Sequence, residues 1–91
     1  MTYLVEVYVL PLPELRDPQG QAVEGALRRL GFPVSGVRVG KVVRMRVEAA
    51  SEAEAERLAS EAARKLLANP VIEEFRVKVL EGADASEVGP R

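Results

Sequence analysis

The residues that could do chemistry are few in kind. The chain has no histidine and no cysteine, so it lacks the side chain that titrates near neutral pH, the usual soft metal ligands and the thiol nucleophile. Carboxylate, lysine and hydroxyl chemistry remain. Glu52, Glu54, Glu56 and Glu61 gather in one stretch. They fall near the start and on the outer face of an expected helix, where solvent stabilises charge and the helix dipole favours acids, and that placement is preferred to a catalytic pair. Ser35 and Ser86 have no base near them in sequence, and serine in a loop is ordinarily a turn former. Gly36 to Lys41, GVRVGK, has the glycines and lysine of a phosphate loop without its spacing, and no helix opens after Lys41. Arg38, Arg44 and Arg46 share the polar side of an expected strand. Their forked donors suit phosphate or carboxylate. Cross-strand pairing with acids such as Glu6 and Glu74 is the preferred alternative, because alternating charge is ordinary on a one-sided sheet.

The elements that must position these groups follow from periodicity. Tyr3, Val5, Val7 and Val9 alternate as a strand with one buried face, Glu6 lies on the other, and Pro11 and Pro13 end its ladder. Asp17-Pro18 starts a helix expected to reach about Leu30, with Val23, Ala26, Leu27 and Leu30 as its core stripe and Gly31 as its stop. Residues 37 to 49 alternate again and predict a long strand with a bend at Gly40-Lys41, which divides it into two pieces. Ser51 with Glu54 forms a capping box for a second helix running to about Ala68. Ala55, Leu58, Ala59, Ala62 and Leu66 share its inner face, and Asn69-Pro70 ends it. A last strand over residues 71 to 80 turns Val71, Phe75, Val77 and Val79 to the core.

The fold class is therefore α+β: a small sandwich of β-α-β-α-β order, an antiparallel sheet with both helices on one face, similar to a ferredoxin-like half. Residues 1 to 81 are expected to form one domain and residues 82 to 91 a frayed tail. A chain of 91 residues buries only about 60 to 65% of its unfolded surface, and no disulfide can staple it. A homodimer that pairs strands across the boundary would complete the sheet and add buried area, with a tetramer as the second possibility. The formal charge of -1 gives no whole-molecule field for nucleic acid or an anionic membrane. The N-terminal apolar stretch lacks a basic leader, and no run approaches the ~20 apolar residues of a membrane span. A cytoplasmic protein is expected.

Three segments together resemble the PurS family: LRDPQG at Leu15 to Gly20, VRVGK at Val37 to Lys41 and LLANPVIEEF at Leu66 to Phe75. The resemblance runs to about Leu80. Arg16 departs from the pattern, which usually has a hydrophobic residue before Asp-Pro-Gln-Gly. The resemblance implies a small, non-catalytic subunit of phosphoribosylformylglycinamidine synthase. Such a subunit would bridge a glutaminase (PurQ) and a large synthetase (PurL) and support ammonia transfer between them. It implies no cofactor on this chain, with ATP and magnesium on the large subunit. The candidate subunit contacts are Asp17, Pro18, Gln19, Gly20, Arg38, Gly40, Lys41, Asn69, Pro70 and Glu73. Structural roles alone, in starting a helix, shaping a bend and ending a helix, would also explain these motifs.

Three other functions compete, the least favoured being a small enzyme, because reactive residues are so few. A ligand-sensing regulatory α+β module would bind a small metabolite at a dimer interface. An RNA-binding domain would need aromatic residues on the open sheet face, where Tyr8 stands alone.

Overall fold

The computed structural model describes residues 1–81. The expected tail from residue 82 onward lies outside the described residues. Element order is β-α-β-α-β: β1 (Thr2–Pro11), α1 (Pro18–Arg29), β2 (Lys41–Glu48), α2 (Glu52–Ala62) and β3 (Glu73–Glu81). The sheet is antiparallel in the order β2-β1-β3. β1 is thus central, pairing Val7 with both Val43 and Val77. It is the most apolar strand, and the central place gives it neighbours on both sides.

Alternation places the odd residues of β1 on the helix-covered face as the sequence predicts, but the strand is not one-sided: Leu4 (2% exposed) and Glu6, on the other face, are buried as well. Tyr3, Val5, Val7 and Val9 are buried against Ala55, Ala59 and Ala63, with Val43, Met45, Val47, Phe75, Val77 and Val79 packed around them. Small alanines bring the α2 backbone close to the sheet. The helix starts where the capping box places it: Glu54 N–H donates to Ser51 Oγ (3.1 Å), and the Glu54 carboxylate accepts from Ala50 N–H (2.6 Å). The reciprocal bond thus reaches one residue ahead of the cap.

Four expectations need correction. The helix does not hold α geometry to Ala68, because residues Ala63–Leu67 form a π-helical turn closed by Ala68 N–H to Ala63 O (2.9 Å). The added residue per turn shifts the inner face. Leu66, expected in the core, is 83% exposed, while Ala63 and Ala68 are buried. β2 begins only at Lys41, so residues 37 to 40 are an extended lead-in and not the first half of a strand. β3 begins at Glu73; Val71 sits in the preceding turn and is 77% exposed.

The fourth correction concerns α1. α2 lies against all three strands, whereas α1 makes no comparable contact with any of them. Val23 and Ala26 are exposed, Leu30 is 74% exposed, and only Leu27 of the expected stripe is half-buried. The helix itself is well formed. Asp17 caps its start, and it ends at Gly31 (φ 97°) with Gly31 N–H on Arg28 O (2.9 Å) and Phe32 N–H on Leu27 O (3.0 Å). Those two bonds are the paired C-terminal closure that a left-handed glycine allows.

Candidate functional site

One end of the sheet gathers the end of β1, the start of α1, the lead-in to β2 and the turn before β3. Asp17 is the buried centre of this junction. One carboxylate oxygen accepts from Gly20 N–H (3.0 Å), inside its own helix, and the other from Val39 N–H (2.9 Å), in the lead-in. These two bonds, Val39 first, hold the Asp17 carboxyl below the usual carboxylate range against the opposing effect of burial. Pro18 takes the first helical position, where its missing N–H costs no bond. Gly20 is buried because no side chain fits: a Cβ would overlap Val37 O and the Asp17 carboxylate. Gly40 meets the same limit against Val9 O and Leu10. The two glycines therefore permit close approach of backbones, and neither has a positive φ.

Further bonds lock the lead-in along α1. Glu24 accepts from Val37 N–H (3.1 Å), and Arg28 Nε donates to Val34 O (2.8 Å). Arg38, expected on a strand face with Arg44 and Arg46, instead turns to the end of β1. Its guanidinium donates to the carbonyl oxygens of Pro11 (3.3 Å), Leu12 and Pro13 (3.3 Å). Arg44 does hold the predicted cross-strand place: Nε and Nη2 reach Glu6 Oε2 at 2.8 and 2.6 Å. The other Glu6 oxygen accepts from Tyr8 OH (2.5 Å). The Tyr8 bond first and Arg44 second keep the Glu6 carboxyl low, and Glu6 in turn raises the Tyr8 hydroxyl. This trio lies on the outer sheet face, away from the junction.

Asn69 and Pro70 join the junction through Glu73. Asn69 O accepts from Ile72 N–H (3.0 Å) and Glu73 N–H (2.7 Å), Asn69 Oδ1 from Val71 N–H (3.1 Å), and Glu73 Oε1 from Asn69 N–H (2.7 Å). Leu12 N–H donates to Ile72 O (2.9 Å), tying this turn to the end of β1. An open cleft of about 240 Å³ runs between the segments, lined by Val9, Pro11, Gln19, Gly40, Lys41 and Glu73 among others. All ten sequence-predicted residues thus fall around one end of the molecule. The sequence reading left out Glu24, the Val39 N–H and the three carbonyls that Arg38 holds. Pro11 and Pro13 were the available signal, since a segment short of N–H donors needs donors from elsewhere.

Chemically, the junction holds backbone together. Asp17 is spent on two amides and Glu73 on one. Among the described residues no group of three potential ligands could hold a metal ion, and no helix is long and apolar enough to cross a membrane.

Residues 4–81 match a family model described as PurS, phosphoribosylformylglycinamidine (FGAM) synthase. The phosphoribosylformylglycinamidine synthase subunit PurS of Synechocystis sp. is 41% identical over 85 residues, 90% of this chain and 85% of the relative. The crystal structure of the PurS subunit of that synthase from Thermotoga maritima superposes with a TM-score of 0.83 at 34% identity, covering 88% of this chain and 93% of that one. A chain in the structure of PurLQS from Thermotoga maritima superposes with a TM-score of 0.82 at 34% identity, covering 88% of this chain and 99% of that one.

Proposed function

The chain belongs to the PurS family of phosphoribosylformylglycinamidine synthase subunits, and from that premise we propose that it is the non-catalytic member that bridges PurQ and PurL. The observation that carries this reading is the match to a chain of PurLQS across 99% of that chain's length. In this role ammonia released from glutamine on PurQ passes to PurL. ATP, with magnesium, activates the amide oxygen of formylglycinamide ribonucleotide there, and ammonia displaces phosphate to give the amidine. The small subunit holds the other two in place. A chain without histidine or cysteine suits that division of labour.

The ten junction residues are proposed as the assembly end of the molecule: four chain segments meet there in one fixed arrangement, and Gln19, Lys41 and Glu73 line its open cleft. A homodimer is proposed as the state of the subunit in the cytoplasm. The exposed stripe Val23, Ala26 and Leu30 supports it, because a stable helix with an uncovered apolar face gains by burying that face in an interface.

The test is glutamine-dependent amidine formation by the matching PurQ and PurL, with and without this protein, beside an ammonia-dependent control. The glutamine reaction should require the small subunit while the ammonia reaction on PurL largely survives. If neither responds, the bridging role fails and a metabolite-sensing module takes its place.

A further inference from the structure

We infer that the cleft on the outer sheet face binds a nucleoside monophosphate, with the base on Tyr8 and Leu10 and the phosphate on Arg76 and Lys78. The site lies on the opposite face of the sheet from α2 and uses none of the ten junction residues, so it does not depend on the bridging role.

β1 and β3 set three cross-strand pairs in a row on that face: Leu10 with Glu74, Tyr8 with Arg76 and Glu6 with Lys78. The open cleft along them has a volume of about 540 Å³ and is lined by Tyr8, Leu10, Glu74, Arg76 and Lys78 among others, which is within the size range of small-molecule sites. A strand rises about 3.4 Å per residue, so Glu74 at one end and Lys78 at the other are about 13–14 Å apart along the strand. A single amino acid is too short to reach across that span, whereas a base, a sugar and a phosphate in line match it.

The aromatic ring is fixed before any ligand arrives. Tyr8 is half-buried, and its hydroxyl donates to Glu6 Oε1 (2.5 Å), while the other Glu6 oxygen holds Arg44 (2.6 Å). Leu10, next on the same face, is 40% exposed, and Val42, opposite Tyr8 on β2, is 52% exposed. One ring between two apolar side chains is a platform for a single base and too small for a run of them.

Glu6 is matched by Arg44, which leaves Glu74 against Arg76 and Lys78 around the cleft, one net positive charge. These three are exposed, and among the described residues none of them is in an ion pair. The arrangement selects more than the total does: the acid stands beside Leu10, and the two bases follow it along β3. A phosphate is drawn to the basic end, where the Arg76 fork offers paired donors. It is repelled by Glu74, which can accept from an amino group of the base instead.

The experiment is an NMR titration of the isolated full-length small subunit with AMP, beside adenosine alone and inorganic phosphate alone. AMP should saturate with a dissociation constant of about 1 mM or tighter. It should shift the amide signals of Tyr8, Leu10, Arg76 and Lys78 and leave those of Ala55 and Ala59, buried under α2, in place. Adenosine and phosphate should each bind about tenfold more weakly or worse. Arg76→Ala and Tyr8→Ala should each weaken AMP about tenfold, and Tyr8→Phe, which keeps the ring and loses the bond to Glu6, should fall between. If Tyr8→Ala fails to fold, Arg76→Ala decides alone, because its side chain is exposed. The inference is overturned by weaker binding of AMP, by phosphate alone binding as well as AMP does, or by shifts confined to another surface. Arg76→Ala that binds AMP as wild type does overturns it too. The bridging role is read separately, from turnover with PurQ and PurL, and either can fail without the other.

Discussion

The two helices are of similar length and both are cleanly capped, yet they are placed by different forces. α2 is placed by burial: Ala55, Ala59 and Ala63 have no exposed surface to speak of and sit on the apolar face of β1. α1 is placed by polar bonds, through Asp17 to Val39, Glu24 to Val37 and Arg28 to Val34, while most of its apolar stripe faces solvent. Burial is non-directional and tolerates small shifts, whereas hydrogen bonds fix distance and angle. A helix held mainly by bonds keeps most of its apolar face free for another molecule without losing its orientation.

The comparison can be broken most severely on the α2 side. Ala59→Asp would bury an unpaired carboxylate against Val5 and Val7 and should cost about 3–5 kcal/mol, enough to unfold much of the population. Urea denaturation followed by circular dichroism measures it, and a loss under 1 kcal/mol would mean that α2 is not seated by its alanines. On the α1 side, Asp17→Ala should have a smaller effect: a melting temperature several degrees lower, with the core intact. Its signature is pH. The folded Asp17 carboxyl titrates below its unfolded value, so its stabilisation is complete above the ordinary carboxylate range, near pH 4, and is lost as pH falls through the lower folded value. The gap between wild type and Asp17→Ala should therefore be constant at neutral pH and close on acidification; a gap that widens in acid would refute the clamp. The smallest effect on the fold belongs to Leu30→Asp. Measured dilute, where the chain is monomeric, its stability should stay within about 0.5 kcal/mol of wild type, while sedimentation at higher concentration should show the dimer weakened. An unaltered dimer would remove α1 from the interface.

Much of this was legible in the sequence, and the parts that were not share a cause. The alternation of β1, the Asp17-Pro18 start, the Gly31 stop and the Ser51/Glu54 box are local signals, written in residues that touch one another along the chain. The displacement of α1 from the sheet was not legible, because a 3.6-residue period says that one face is apolar and not what covers it. The lead-in at 37 to 39 reads as strand because an extended segment alternates whether or not a neighbour pairs with it. Leu66 was misplaced by a π turn, for which Ala63 to Leu67 carries no compositional mark. The ten candidate residues did converge on one end, but the role of Arg38 stayed hidden because its acceptors are carbonyl oxygens, which every residue carries.

The central position of β1 also bears on how the molecule comes to exist. Val5 pairs with Val79 and Val7 with Val77, contacts about seventy residues apart along the chain. Closing loops of that length before any contact repays the entropy slows folding. During translation the most apolar strand leaves the ribosome long before β3 has been made. Until β2 and then β3 have been made, VEVYVL has open edges and resembles the segments that nucleate aggregates, interrupted by a single charge at Glu6. The same carboxylate that Tyr8 and Arg44 secure in the finished sheet would serve, in the nascent chain, as the one gatekeeper of its stickiest stretch.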